Sequence, residues 1–202
     1  GGGAELTTDA LFQSSPMKTY LLKSSEVTDK TISEGMQKLW VFFNFTQMNY
    51  NLIPSIVGNC HYYIVEYDYK FCKYRSIEKH KADTGQECDC HRSDHGMMTS
   101  AFFSGAEHIF WMSKVQHEIY KARYPFLTDE KSSVLSSVFD VKDLELIERL
   151  RKARQKSDSI SDKFVILNSN SWIKGVNETQ AYLEDNQIPY KLVSGLSYHD
   201  ML

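Results

Sequence analysis

The stretch Lys163-Phe-Val-Ile-Leu-Asn-Ser-Asn-Ser-Trp-Ile-Lys174-Gly175-Val-Asn-Glu-Thr-Gln-Ala-Tyr-Leu-Glu-Asp-Asn-Gln-Ile-Pro-Tyr-Lys-Leu-Val-Ser194 reads as a strand, a polar loop with a Lys-Gly pair, an amphipathic helix and a second strand. An apolar strand that ends in amides, hydroxyls and one lysine directly before a helix start is how open α/β sheets build an anion pocket at their carboxyl edge. Lys174 and Gly175, with Asn168 and Ser169 in the same loop, are therefore the first candidate binding residues.

Working outward, the same alternation recurs. Leu39-Trp-Val-Phe-Phe-Asn-Phe45 and His61-Tyr-Tyr-Ile-Val-Glu-Tyr-Asp68 are dense in aromatic and β-branched residues, as buried parallel strands require, and Ser100–Ser113 reads as a short helix followed by a strand. Helical spacing appears from Ala4 to Ser14, over Asp29–Lys38, from Lys114 to Tyr124 before Pro125, and from Leu144 to Gln155. Lys18-Thr-Tyr-Leu-Leu22 is expected as a further strand, and the polar span from Lys70 to Met98 as a long loop. The pattern defines an α/β chain. The aromatic residues Phe42, Phe43, Phe45, Phe102, Phe103, Phe110 and Trp111 are assigned to its core.

Composition narrows the class. A chain of 202 residues with 42% hydrophobic and 13% aromatic content can bury a sizeable core. A net charge of -3 with no basic block argues against nucleic acid as a partner. The longest apolar run, Leu39–Phe43, is too short to cross a bilayer, and no secretory leader opens the chain; a cytoplasmic protein is expected, with peripheral membrane contact left open. Cys60, Cys72, Cys88 and Cys90 are too few for a disulfide scaffold and are expected as reduced thiols.

Two residue groups carry further chemistry. Asp68 ends a strand, where it could take a proton from a hydroxyl or orient it. Strand alternation places Glu66 on the same face, and Asn44 ends the preceding strand. Cys88-Asp-Cys90-His91 with His95, and Cys72 or Cys60 at a distance, supplies enough soft ligands for tetrahedral zinc, although Cys-x-Cys is tighter than the common knuckle spacing. His61, His108 and His117 fall inside strand or helix patterns and are expected as ordinary side chains.

Four motifs, taken in order, resemble the retaining glycosyltransferases of the two-domain GT-B type, the family of sucrose synthase and bacterial lipopolysaccharide transferases. Gly2-Gly3-Ala4-Glu5 before a helix is similar to the Gly-rich loop of their first domain. Phe110-Trp-Met-Ser113, with Gln116 and Tyr120, is similar to the late strand whose serine starts a helix. Ser137-Val-Phe-Asp140 resembles the crossing between domains, and Ile166–Gly175 the first strand and Lys-Gly loop of the donor domain. The resemblance implies two Rossmann-like domains over 1–132 and 133–202, the second incomplete. It also implies a hexosyltransferase that moves sugar from a nucleotide-sugar to a carbohydrate or other hydroxyl acceptor. Lys174, Gly2 and Gly3 would hold the diphosphate, Asp68 would be catalytic, and Asn44 and Glu66 would lie on the acceptor side. No cofactor beyond the donor, and no metal, would be required. The family's arginine five residues before the loop lysine is Ser169 here, and both ends read as cut.

Two rival classes stand beside this. Val138-Phe-Asp140 and Phe164–Asn170 could be degenerate haloacid-dehalogenase phosphatase motifs, but the second aspartate of that Asp-x-Asp pair would be Lys142. A zinc-stabilised, non-enzymatic binding module around residues 60 to 95 is the other.

Overall fold

The computed structural model describes residues 3–155, 163–171 and 174–196. The chain divides into two compact units, Gly1–Val138 and Phe139–Leu202.

In the first unit, helices α1 (Gly3–Ser14) and α2 (Asp29–Gly35) precede strand β1 (Leu39–Phe42). Helix α3 (Ile53–Asn59) leads to β2 (His61–Glu66). Helices α4 (Ile77–Thr84) and α5 (Asp94–Gly105) lead to β3 (His108–Trp111), and α6 (Lys114–Arg123) to β4 (Ser132–Val134). The sheet is wholly parallel in the order β1-β2-β3-β4, with Phe42 opposite Ile64 and Ile64 opposite Ile109. Each parallel neighbour needs a crossover, and the helical segments between the strands supply it.

Central β2 explains the core. Tyr62, Ile64, Val65 and Glu66 are all buried, and Ile53, Ile56, Phe102 and Phe103 from α3 and α5 join Tyr62 and Ile64 in one cluster. Fully burying such a side chain is worth roughly 1.5–3 kcal/mol, so this layer dominates the stability of the unit. Of the aromatics assigned to the core, Phe42, Phe45, Phe102, Phe103 and Trp111 are buried, and Phe43 and Phe110 are half-buried. Ser113 starts α6 as expected, its hydroxyl accepting from the Gln116 amide at 3.1 Å.

Two expectations fail here. Residues 18–22 form no strand; Tyr20 and Leu21 are 70% and 67% exposed, and no sheet edge pairs with them. The span 70–98 is not a structureless loop either. It contains α4, capped at its start by Ser76, a single 3-10 turn over Cys90–Arg92, and the start of α5, capped by Ser93.

The second unit holds α7 (Val141–Gln155), β5 (Phe164–Leu167), α8 (Val176–Asp185) and β6 (Tyr190–Val193), with β5 and β6 paired in parallel. Its small core is Ile166, Val176 and Leu183, joined by Ile188 and Tyr190. Because β4 pairs with β3, the division between units falls after Val138, six residues beyond the position read from sequence. Among the described residues no helix is long and apolar enough to cross a membrane.

Candidate metal centre and carboxyl-edge cleft

Parallel strands send their carboxyl ends to one edge, so the segments after β1 and β2 meet there. They line a cavity of about 360 Å³ formed by Thr46, Tyr50, Lys70, Cys72, Lys73, Arg75 and His95. Its floor is an ion network. Lys70 is fully buried, and its Nζ donates to Glu66 Oε2 at 3.3 Å and to Asp68 Oδ1 at 3.2 Å while lying 5.4 Å from the Phe45 ring centroid. Tyr120 donates its hydroxyl hydrogen to Glu66 Oε1 at 2.9 Å, and the Lys70 amide donates to the Tyr120 oxygen at 2.9 Å. Burial pushes the Glu66 carboxyl up to about 7, against the opposing pull of Lys70.

Arg75 carries the rim. Its Nε donates to Asp68 Oδ2 at 2.8 Å, and its Nη2 bonds the same oxygen. Asp68 raises the Arg75 pKa, chiefly through these hydrogen bonds. The Arg75 backbone sits at φ 58, a left-handed conformation that side chains rarely adopt and that clusters at functional sites. It persists because the Arg75 amide donates to Cys72 O at 2.8 Å and the Arg75 carbonyl accepts from Tyr69 N at 3.3 Å. His95 donates through Nε2 to Lys70 O at 2.7 Å and stacks on Tyr50 at 5.2 Å.

Beside the cavity, the sulfurs of Cys72, Cys88 and Cys90 and a ring nitrogen of His80 all lie within 4.8 Å of one another, and all four residues are buried. His80 Nδ1 is 3.3 Å from Cys90 Sγ and 3.7 Å from Cys72 Sγ. Burial raises the Cys72 thiol and pushes that of Cys88 up to about 12. No disulfide forms; all four cysteines are free. Gly96 in α5 packs against this turn so closely that a Cβ there would lie 2.1 Å from Cys90 O and 2.5 Å from His91 Cα.

The residues singled out from sequence separate clearly. Asp68 reaches the cavity edge but has both carboxylate oxygens engaged by Lys70 and Arg75; a hydroxyl would have to displace one cation to reach it. Glu66 shares the Asp68 side, as alternation required, yet it is fully buried under Lys70 and does not line the cavity. Asn44 is exposed and makes a turn, accepting from Thr46 N at 3.3 Å and Thr46 Oγ1 at 2.8 Å. Gly3 opens α1 with nothing within 4 Å of an added Cβ, and Gly2 lies outside the described residues. In the second unit Lys174 is exposed on a turn, its amide donating to Ser171 O at 3.0 Å. Gly175 takes φ +62 to start α8, and Asn168 N donates to Val193 O at 2.7 Å. The Ser169 hydroxyl accepts from Ser171 N at 3.2 Å, and Trp172 lies outside the described residues.

Of the sequence-proposed zinc ligands, Cys88 and Cys90 enter the cluster and His91 and His95 do not. The 3-10 turn sends His91 toward Phe71 and Tyr124, and His95 is tied to Lys70 O. Cys72 does join, and His80, weighed in no sequence argument, is the missed member of the cluster. Its signal was the spacing Cys72-x7-His80-x7-Cys88-x-Cys90. The expectation that no metal is needed has no support beside this cluster. Of the histidines expected to be ordinary, His117 stacks on Trp111 at 5.0 Å and His108 pairs with Ser133 Oγ at 2.9 Å.

No protein-family model matches the chain, and no curated protein or solved structure matches it.

Proposed function

We propose that this chain is part of a GT-B glycosyltransferase, a hexosyl transferase that uses a nucleotide-activated sugar and a hydroxyl acceptor, its two units being Rossmann-like lobes. The observation that carries the reading is the cavity at the carboxyl edge of the parallel sheet, lined by Lys70, Lys73, Arg75, Tyr50 and His95. That edge is where α/β folds place their ligands. The four ordered sequence motifs supply the reaction class.

In this reading the first unit receives the acceptor. Tyr50 and His95 offer a stacked aromatic wall, and Arg75 offers a bidentate donor to acceptor oxygens. Asp68 takes the acceptor proton once the acceptor has displaced the guanidinium. In the second unit Lys174, with the amides that open α8, neutralises the departing diphosphate.

The test is release of nucleoside diphosphate from a panel of nucleotide-sugars, with and without mono- and oligosaccharide acceptors. Release from at least one donor, abolished in Lys174→Ala and raised by an acceptor in the wild type but not in Arg75→Ala, supports the reading. Neither turnover nor a thermal shift with any donor overturns it in favour of a binding module.

A further inference from the structure

We propose that Cys72, His80, Cys88 and Cys90 together bind one zinc ion in a closed tetrahedral site that fastens the 70–98 segment to the edge of the sheet. The inference does not rest on the transferase reading.

Geometry is the first argument. With Zn–S near 2.3 Å and Zn–N near 2.0–2.1 Å, a tetrahedral site has S···N edges of about 3.6 Å and S···S edges of about 3.8 Å. His80 Nδ1 lies 3.3 and 3.7 Å from two of the sulfurs, and every ligand pair is within 4.8 Å. The four donors are thus already spaced for a single ion at their centre.

Chemistry selects the ion. Three thiol sulfurs and one imidazole form a soft set that suits zinc and repels magnesium or calcium, which take oxygen. All four side chains are buried, so no open position is left for water or substrate, and the site is structural. Zinc on three thiolates and a neutral imidazole leaves one net negative charge.

The elements converge on the same point. Ser76 caps α4 and so places His80 one turn in; its carbonyl also accepts from Cys72 Sγ at 3.5 Å. Gly96 lets α5 seat against the turn that presents Cys90. Three chain segments, carrying Cys72, His80 and the Cys88–Cys90 pair, are joined by one ion, and binding energy at such a site is folding energy.

The test uses the full chain purified from zinc-supplemented cells. Elemental analysis should give one zinc per chain, and cobalt exchange should give the intense visible bands of tetrahedral thiolate coordination. Chelation should lower the melting temperature by about 10 °C or more. Cys88→Ser and His80→Ala should each lose more than nine-tenths of the metal, while Cys60→Ser keeps it. Should the variants fail to fold, the wild type still decides. A metal-free chain whose four thiols react freely and whose melting ignores both zinc and chelator overturns the proposal. So does a cobalt spectrum of octahedral, oxygen-rich coordination, or full metal retention in both ligand variants.

Discussion

Replacing Lys70 by methionine tests the network under the cleft. Met fills a similar volume, so the change removes the ammonium while sparing most of the packing. Glu66 then keeps only the Tyr120 hydroxyl and the residue 70 amide as donors, at 2.9 and 3.3 Å. Breaking a buried pair by removing one partner costs about 3–5 kcal/mol, because a charge is left uncompensated. With a urea m-value of about 2 kcal/mol/M, the midpoint should fall by roughly 2 M at pH 8, read by tryptophan fluorescence. The penalty should shrink at pH 5. Burial already raises Glu66 to about 7 with the lysine present, and losing the lysine raises it further, so at pH 5 the carboxyl is neutral and no charge is stranded. Glu66→Gln with Lys70→Met should recover much of the loss at pH 8. A penalty below about 1 kcal/mol at pH 8, or one that does not change with pH, would refute the assignment of Lys70 as the counter-charge of Glu66.

Gly96→Ala puts a methyl 2.1 Å from Cys90 O; it should destabilise by about 1–3 kcal/mol in thermal melts and lower metal content. Gly58→Ala in α3, where nothing lies within 4 Å, should be neutral or stabilising by up to about 1 kcal/mol. Arg75→Gly relieves a left-handed backbone while losing a rim ion pair; unfolding should move by less than about 1 kcal/mol while acceptor binding by calorimetry is lost. In the wild type, Glu66 has a folded pKa raised above its ordinary value of 4.5. Its contribution is therefore fully present below 4.5 and lost as pH rises through about 7, a slope that Glu66→Gln should remove from a stability-against-pH series.

What could be read from the sequence follows from which forces are local. Strands β1, β2, β3 and β5 announce themselves through runs of aromatic, β-branched and leucine residues, although β1 and β5 are only partly buried, and Ser113 announces α6 because a cap is a contact between near neighbours. Lys18–Leu22 has the same local composition as a strand, but pairing is decided by a distant edge, and none is offered. Helix α4 escaped notice because its residues Ile77-Glu-Lys-His-Lys-Ala-Asp-Thr84 have almost no apolar stripe; it is held by its Ser76 and Gly85 caps and by His80 pointing inward. Glu66 looked like a cleft wall because alternation gives the face of a side chain, not its depth. Its burial depends on Lys70 and on Tyr120, 54 residues away.

The proposed metal ligands show the same limit and what it implies for the cleft. Proximity in sequence favours His91 and His95, one and five residues past Cys90, whereas a closed site needs donors converging from different directions. Helix α4 supplies that direction through His80, eight residues before Cys88, whereas the turn Cys90–Arg92 does not bring His91 into the cluster. Cys72 lies two residues past the buried Lys70 and three before Arg75, whose left-handed backbone is fixed by a bond to the Cys72 carbonyl. A ligand bond to Cys72 therefore acts at the midpoint of the segment that aims the cavity's cations. Zinc at this site would act on ligand binding through loop position alone, without touching the ligand, in the way outer supports pre-organise a binding site. Chelation should accordingly weaken binding in the cavity through a loosened rim, the 70–98 segment losing more hydrogen-exchange protection than strands β1-β2-β3-β4. Equal loss of protection in strands and rim would show instead that the ion holds the whole unit together.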